Sequence, residues 1–308
     1  MSARWKLDQQ YADIMQHHPF GIALYRPLPL STFNIGSCGY FDEFGSWNPI
    51  AHLKNIDSLQ EKGLAIPDDE LERAPIEDGI EWGPKTSKRT KEMKVELSGG
   101  VDPATGIPLT VSSIYSYSTD TDVGAVLLAS NPVTHERFYH KSPFKNWVKK
   151  NALTILQRWP EVKEHGVWIV ASTFAAAQCE VNMWHEKGKS FQVGFSAEAM
   201  GFGKIGNDCK WHTSQRDEGW AKYSSKGDDK VVVFFGGLKF QYTWAFGKDL
   251  KTVSRPVLRG PHGEEKKNEA ETITTIPDPE YDEGSYFVDC EEYLGDEDEP
   301  KTQDGGQW

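Results

Sequence analysis

The sequence predicts an α+β fold, a twisted and mostly antiparallel sheet with flanking helices. Several segments alternate apolar and polar residues with a period of two, as strands with one dry and one wet face do. They fall in pairs separated by Gly/Pro-rich turns, which suits hairpins. Only two stretches carry a helical apolar stripe. The 308 residues are 38% hydrophobic and 12% aromatic, enough to bury a sizeable core.

The elements follow in order. Residues 3–16, ARWKLDQQYADIMQ, predict a helix with Trp5, Leu7, Tyr11, Ile14 and Met15 on one broad face and Pro19 just past its end. GIALYRPL (21–28) reads as a strand, and CGYFDEFGSWNPI (38–50) as strand, tight turn and strand. Residues 51–80 are polar, with Pro67 and Pro75, and read as a loop with one short helix. EMKVELS (92–98) sets Met93, Val95 and Leu97 against Lys94, Glu96 and Ser98. IPLTVSSIYSYST (107–119) sets Ile107, Leu109, Val111, Tyr115 and Tyr117 against Thr110, Ser112, Ser116 and Ser118, with Ile114 the one intruder. VGAVLLA (123–129) is apolar on both faces and predicts a central strand. FKNWVKKNALTILQRW (144–159) is the strongest helix, with Trp147, Val148, Leu153, Ile155, Leu156 and Trp159 on its apolar side and Pro160 as its stop.

Beyond it, GVWIVASTF (166–174) is a strand, and QCEVNMW (178–184) and SFQVGFSAEA (190–199) form a second alternating pair. That pair places Val181 and Met183, then Phe191, Val193 and Phe195, on apolar faces. KVVVFFGGLKFQYTW (230–244) supplies a last pair of strands. From about residue 248 the chain turns Pro-, Glu- and Asp-rich, and 248–308 reads as an acidic, flexible or loosely docked tail behind a domain of residues 1–247.

Charge sharpens this division. Residues 251–308 hold 16 acidic and 6 basic side chains, so most of the net charge of −12 lies there and the body is near neutral. Nucleic acid is therefore not an expected partner, because phosphates demand a basic footprint. Two basic clusters stand out in the body: Lys85, Lys88, Arg89, Lys91 and Lys94, then Lys145, Lys149, Lys150 and Arg158 with Lys141 just before them. Such clusters can meet anionic lipid headgroups, each basic residue adding about 1 kcal/mol near a charged leaflet. The N-terminus shows no apolar core of a secretory signal, and no apolar run approaches the roughly 20 residues of a membrane helix. Cys38, Cys179, Cys209 and Cys290 have no CxxC spacing and read as reduced thiols.

Other motifs carry less chemistry. GFGKIG (201–206) matches a dinucleotide fingerprint in letters, but no helical stripe follows it, so it reads as a turn. Cys209, His212 and His185 lack the spacing of a metal site. His17 and His18 suit a helix C-terminus, and Ser196 in GFSAE lacks the second glycine of a nucleophile elbow. No catalytic constellation emerges, so the chain is read as no enzyme, with no metal and no cofactor.

The order of pieces adds a further expectation. HHPFGIALYRPL, IGSCGYFDEFGSWNPI, two strand pairs around a helix ending in WPEVKEHGVWIVAST, and KVVVFFGGLKFQY together resemble the pore-forming domain of the gasdermin family, over residues 1–247. Short fungal gasdermin-like proteins are the most similar in layout. The resemblance implies a gasdermin N-terminal-domain-like fold and a protein that is cytoplasmic when inactive. When active it would oligomerise on acidic lipids of the plasma membrane or another cell membrane, linked to regulated cell death. Two amphipathic hairpins per protomer would enter a closed barrel, which leaves no unpaired edge in lipid. Membrane-inserting positions would be Met93, Val95, Leu97, Leu109, Val111, Tyr115, Val181, Met183, Phe191, Val193 and Phe195. Trp5, Lys85, Lys88, Arg89, Lys91, Lys145, Lys149 and Lys150 would touch headgroups. An activating protease, cutting near Arg255, Arg259 or Lys267, or a related partner protein would displace the tail. The rival readings are a soluble binding module, for carbohydrate through its Trp and Tyr residues, and an enzyme whose site is not legible.

Overall fold

The computed structural model describes residues 3–96, 111–185, 190–196, 211–213, 219–225, 227–246, 270–279, 281 and 284–293. Its elements begin with α1 (Ala3–Met15), β1 (Ile22–Pro29), β2 (Ser37–Phe41), β3 (Trp47–His52) and α2 (Ile56–Glu61). They continue with β4 (Glu77–Ile80), β5 (Lys85–Thr86), β6 (Thr90–Glu96), β7 (Val111–Thr119), β8 (Gly124–Ala129) and β9 (Val133–Arg137). Then come α3 (Ser142–Arg158), α4 (Val162–His165), β10 (Val167–Ala176), β11 (Gln178–Trp184), β12 (Ser190–Ser196), β13 (Trp211–Thr213) and β14 (Trp220–Ser224). The last three are β15 (Val231–Phe246), β16 (Glu271–Pro277) and β17 (Gly284–Tyr293). Every strand pair is antiparallel, as the alternating patterns predict. The chain is an α+β protein.

A main sheet runs β16-β17-β15-β10-β2-β3, with β1 also on β15 and the β9-β4 pair also on β10. Helix α3 covers one face of it. Phe144, Trp147, Val148, Ala152, Ile155 and Leu156 recur at the three- and four-residue spacing of a helix stripe, and all are buried. Asn151 sits inside that stripe because its amide is fully used: Oδ1 accepts from Ala65 N at 2.7 Å and Nδ2 donates to Trp147 O at 2.9 Å. The β2–β3 turn is held by Asp42, whose Oδ1 accepts from the backbone of Phe44 (2.9 Å) and Ser46 (2.8 Å). Gly45 there takes a positive φ of 72°, a conformation costly for other residues.

Two expectations are corrected. The pair of strands expected over residues 230–244 is one strand: β15 runs unbroken for 16 residues, straight through Gly236 and Gly237. The glycine serves a close approach rather than a turn: a Cβ on Gly237 would lie 2.4 Å from Ile169 O on β10. Second, part of the tail expected to be flexible or loosely docked is built into the main sheet. Strand β17 pairs with β15 over ten residues, from Gly237–Tyr293 to Phe246–Gly284, and β16 pairs along β17's other edge. Its acidic density hid a period of two, since Gly284, Tyr286, Val288 and Cys290 are buried between more exposed neighbours.

Candidate functional site

Outside the main sheet lie two four-stranded sheets. A proximal sheet runs β14-β11-β8-β5 and a distal sheet runs β13-β12-β7-β6. The orders match column by column, because each distal strand is the chain neighbour of the proximal strand in its column. The eight short strands are therefore four long ones, each broken once. The expected hairpin between 178–184 and 190–199 is not formed among the described residues. β11 and β12 are two parts of one path, paired on one side with β8 and β7 and on the other with β14 and β13. The second hairpin instead joins 178–196 to 211–224. The alternating halves looked like hairpin arms because the turn-like residues between them mark the break. The β6–β7 pairing is as expected.

The two inner columns keep one register through the break. Partner numbers add to 308 in the proximal sheet, as in Cys179 with Ala129, and again in the distal sheet, as in Ser190 with Ser118. Segments 111–129 and 178–196 could thus form one ladder of 19 residues each with no re-pairing, apart from a bulge at Ser196. At about 3.4 Å per residue such strands exceed the roughly 30 Å hydrocarbon thickness of a bilayer.

What changes at the break is the face turned inward. Odd-numbered Ala125, Leu127, Ala129, Cys179, Val181 and Met183 of the proximal sheet pack with Tyr11 and Met15 of α1. Even-numbered Val126, Leu128 and Trp184 face a second, small core, where they meet odd-numbered Tyr117 and Val193 of the distal sheet. The ribbon is doubled over, with odd positions hidden in two different cores. In a straight ladder all odd positions would share one face. Glu180 (5% exposed) and Asn182 (0%) alternate with the α1-facing residues on β11, and both are buried polar groups the sequence pattern had assigned to a wet face. Glu180 pairs with Lys222 at 3.1 Å, while neither amide atom of Asn182 has a partner among the described residues.

Hydroxyls pin the crease. Ser87 Oγ and Thr90 Oγ1 lie 2.7 Å apart, Ala125 N donates to Ser87 Oγ at 3.2 Å, and Thr119 Oγ1 donates to Arg89 O at 3.3 Å. Lys91 pairs with Asp120 at 3.0 Å on the surface. α1 is tied down by a two-bond Arg26–Asp8 pair (3.1 and 2.7 Å) and by His18 Nε2, 3.0 Å from Thr86 O. Burial lowers the His18 pKa to about 4, with His17 adding to the effect, so the ring is neutral near pH 7.

The expected headgroup residues fall into different settings. Lys88 and Arg89 are exposed, whereas Lys85 is half-buried over the rings of Phe20 (5.2 Å) and Trp82 (5.1 Å), its pKa lowered by burial. Lys145 is held by Glu271 at 2.8 Å and Glu292 at 2.9 Å, and Lys141 by Glu292 at 3.0 Å. These carboxylates come from β16 and β17. Their hydrogen bonds hold the Lys145 pKa above its usual value. Lys150 pairs with Asp68, and Lys149 is exposed. Trp5 lies in α1, with its side chain outside the described residues.

Of the expected membrane-inserting positions, Val181, Met183 and Val193 are buried, Tyr115 is half-buried, and Met93 is 62% exposed. Val95, Val111, Phe191 and Phe195 are placed only by strand register. Leu97, Leu109, the GFGKIG run and the cleavage candidates Arg255, Arg259 and Lys267 lie outside the described residues. No three His, Cys, Asp or Glu side chains gather as a metal site among the described residues, and no described helix is long and apolar enough to cross a membrane.

No protein-family profile matches the chain, and no curated protein does. Among solved structures it is similar to a bacterial gasdermin from Bradyrhizobium tropiciagri, at 12% identity and a TM-score of 0.27 over 77% of this chain and 87% of that one. It is also similar to the gasdermin A3 membrane pore, at 12% identity and a TM-score of 0.26 over 77% of this chain and 90% of that one.

Proposed function

We propose that this chain is a membrane pore-former of the kind its sequence resembles, the short-tailed gasdermin-like proteins. The carrying observation is the doubled-over ribbon whose two inner strands share one register across the crease. An ordinary sandwich has no need of that continuity. A ribbon that opens into a membrane-spanning wall does, because it can straighten while keeping its central ladder. Straightening gathers Tyr115, Tyr117, Leu127, Val181, Met183 and Val193 on one apolar face and puts Ser116, Ser118, Glu180 and Asn182 on the other. α1 must leave first, since Tyr11 and Met15 cover the odd face of the proximal sheet.

Several copies would then pair edge to edge into a closed barrel, which removes open strand edges from lipid. Lys88, Arg89, Lys149 and Lys150 would meet acidic headgroups, with Lys141 and Lys145 joining them once Glu271 and Glu292 depart. The C-terminal hairpin β16–β17 is on this reading the restraint, displaced by a protease acting in 247–269 or by a related partner protein. The quiescent protein is cytoplasmic, and the consequence of opening is regulated cell death.

The test uses the full chain with an engineered protease site in 247–269, cut after folding, and dye-loaded vesicles containing an acidic lipid. Dye release after cutting, weak or absent with the uncut chain and with neutral vesicles, is the expected result. Intact vesicles at every lipid composition would remove the pore reading. Equal release from cut and uncut chains would remove only the restraint.

A further inference from the structure

We infer that strand β6 slides three residues along β7 when the ribbon opens; this rests on the pore reading above and adds a step to it. The three lateral pairings of the ribbon differ in how they cross the crease. Between the inner columns there is no offset. In the second hairpin, partner numbers add to 402 below the crease (Asn182 with Trp220) and to 406 above it (Val193 with Thr213). That offset of four is even, so facing residues keep the same parity. In the first hairpin they add to 212 below (Lys85 with Leu127) and to 209 above (Thr90 with Thr119). That offset of three is odd, and an odd change of register moves every side chain of one strand to the other face.

The consequence is visible in side chains. Tyr117, 0% exposed, stands opposite Glu92, while Met93 next to it on β6 is 62% exposed and stands opposite Ser116. Lys94 is opposite Tyr115. A membrane hairpin frozen in this register would carry Glu92 and Lys94 in line with its tyrosines, where charge on a lipid face is unfavourable. Continuing the lower register upward cures this. Val95 would come opposite Tyr117 and Met93 opposite Thr119, while Lys94 and Glu96 would come opposite Ser118 and Ser116.

The lower register already reaches into the crease, since Ser87 N donates to Ala125 O at 2.9 Å. The missing three residues are taken up where Thr86–Thr90 spans four steps against the seven of Thr119–Val126. Thr90 N closes that turn on Ser87 O at 2.9 Å. The present register is held by the seven-residue β6–β7 ladder, with the Lys91–Asp120 pair and the Thr119–Arg89 hydrogen bond at its crease end. β6 is thus an amphipathic strand stored out of phase, and its storage keeps the first hairpin from presenting a continuous oily face in water.

Paired cysteines read the register directly, because opposed residues in a ladder lie within disulfide reach. In a Cys209→Ser background of the cleavable chain, Met93→Cys with Ser116→Cys links the present register, and Glu96→Cys with Ser116→Cys links the slid one. The first pair is expected to oxidise in solution, to cut dye release about ten-fold or more while oxidised, and to regain it on reduction, because a locked register cannot flip faces. The second is expected to oxidise only after cutting and only on acidic vesicles. Full release from the oxidised first pair, or no vesicle-dependent link in the second while vesicles leak, would overturn the slide and leave the pore reading standing. If the reduced first pair is inactive, Lys91→Cys with Ser118→Cys reads the same register without touching Met93. Vesicles left intact by the cut parent protein would sink the pore reading and the slide together.

Discussion

The main sheet and the doubled ribbon solve the same problem differently. Both contain long strands, yet β15 crosses the main sheet in 16 unbroken residues while 111–129 is creased in the middle. The main sheet rests on a large core that recruits α3, α4 and the C-terminal hairpin, and on a second cluster of β1, β10 and β15 residues. The ribbon's intersheet core has five buried apolar members and places Glu180 and Asn182 on the same face of β11 as one of them, Trp184. Stability is therefore unevenly distributed, and the region built to stay is the one with the large apolar core.

Substitutions can break or sharpen that contrast. Trp147→Ala, deep under α3, should cost about 3–5 kcal/mol and lower the thermal midpoint of the whole molecule, as followed by calorimetry. Leu128→Ala in the ribbon core should cost about 2–4 kcal/mol locally and speed dye release from the cut chain, with hydrogen exchange faster in 111–129 than in β15. Equal exchange in the two regions would erase the distinction. Asn182→Leu should do the reverse. A buried amide with no partner among the described residues costs about 1–3 kcal/mol if left unpaired, so an apolar replacement of similar size should tighten the crease and slow release.

A smaller effect concerns α1. Burial raises the Asp13 pKa from 3.8 to about 6. The folded carboxyl therefore holds its proton between those values, and stability falls as pH rises through that window. Asp13→Asn should raise the thermal midpoint at pH 7 by an amount worth about 1–2 kcal/mol after allowance for partial exposure, with the gain gone below pH 4. The smallest change should come from Glu271→Gln with Glu292→Gln, since exposed ion pairs are each worth about 0–1 kcal/mol. It should quicken release after cutting mainly at low salt. An unchanged rate would show that the backbone ladder alone retains the hairpin.

The amphipathic periods made most of this legible. Helix α3 and strands β1, β2, β3, β8, β10 and β11 follow from local spacing, because each buries one stripe or both faces, and the β6–β7 pair follows from alternation on either side of a Gly/Pro-rich turn. Partnership across the crease did not follow, since a broken strand and a hairpin leave the same mark in the sequence: two alternating runs and polar residues between. Nor did the register of β6, which depends on contacts such as Lys91 with Asp120 that no local pattern encodes. The docking of β17 was hidden because its buried Tyr286, Val288 and Cys290 alternate with Ser285, Phe287 and Asp289 inside an acidic stretch, and composition averages over that alternation.

The ten-residue pairing of β17 with β15 bears on timing. A cut in 247–269 severs the covalent link but leaves every rung of that ladder in place. Nicking and release are then separate events, and the second has its own barrier. A nicked, quiescent population should accumulate before any response. The delay would lengthen with each added rung and shorten with each one lost, so the length of one terminal strand would work as a clock between damage to the chain and damage to a membrane.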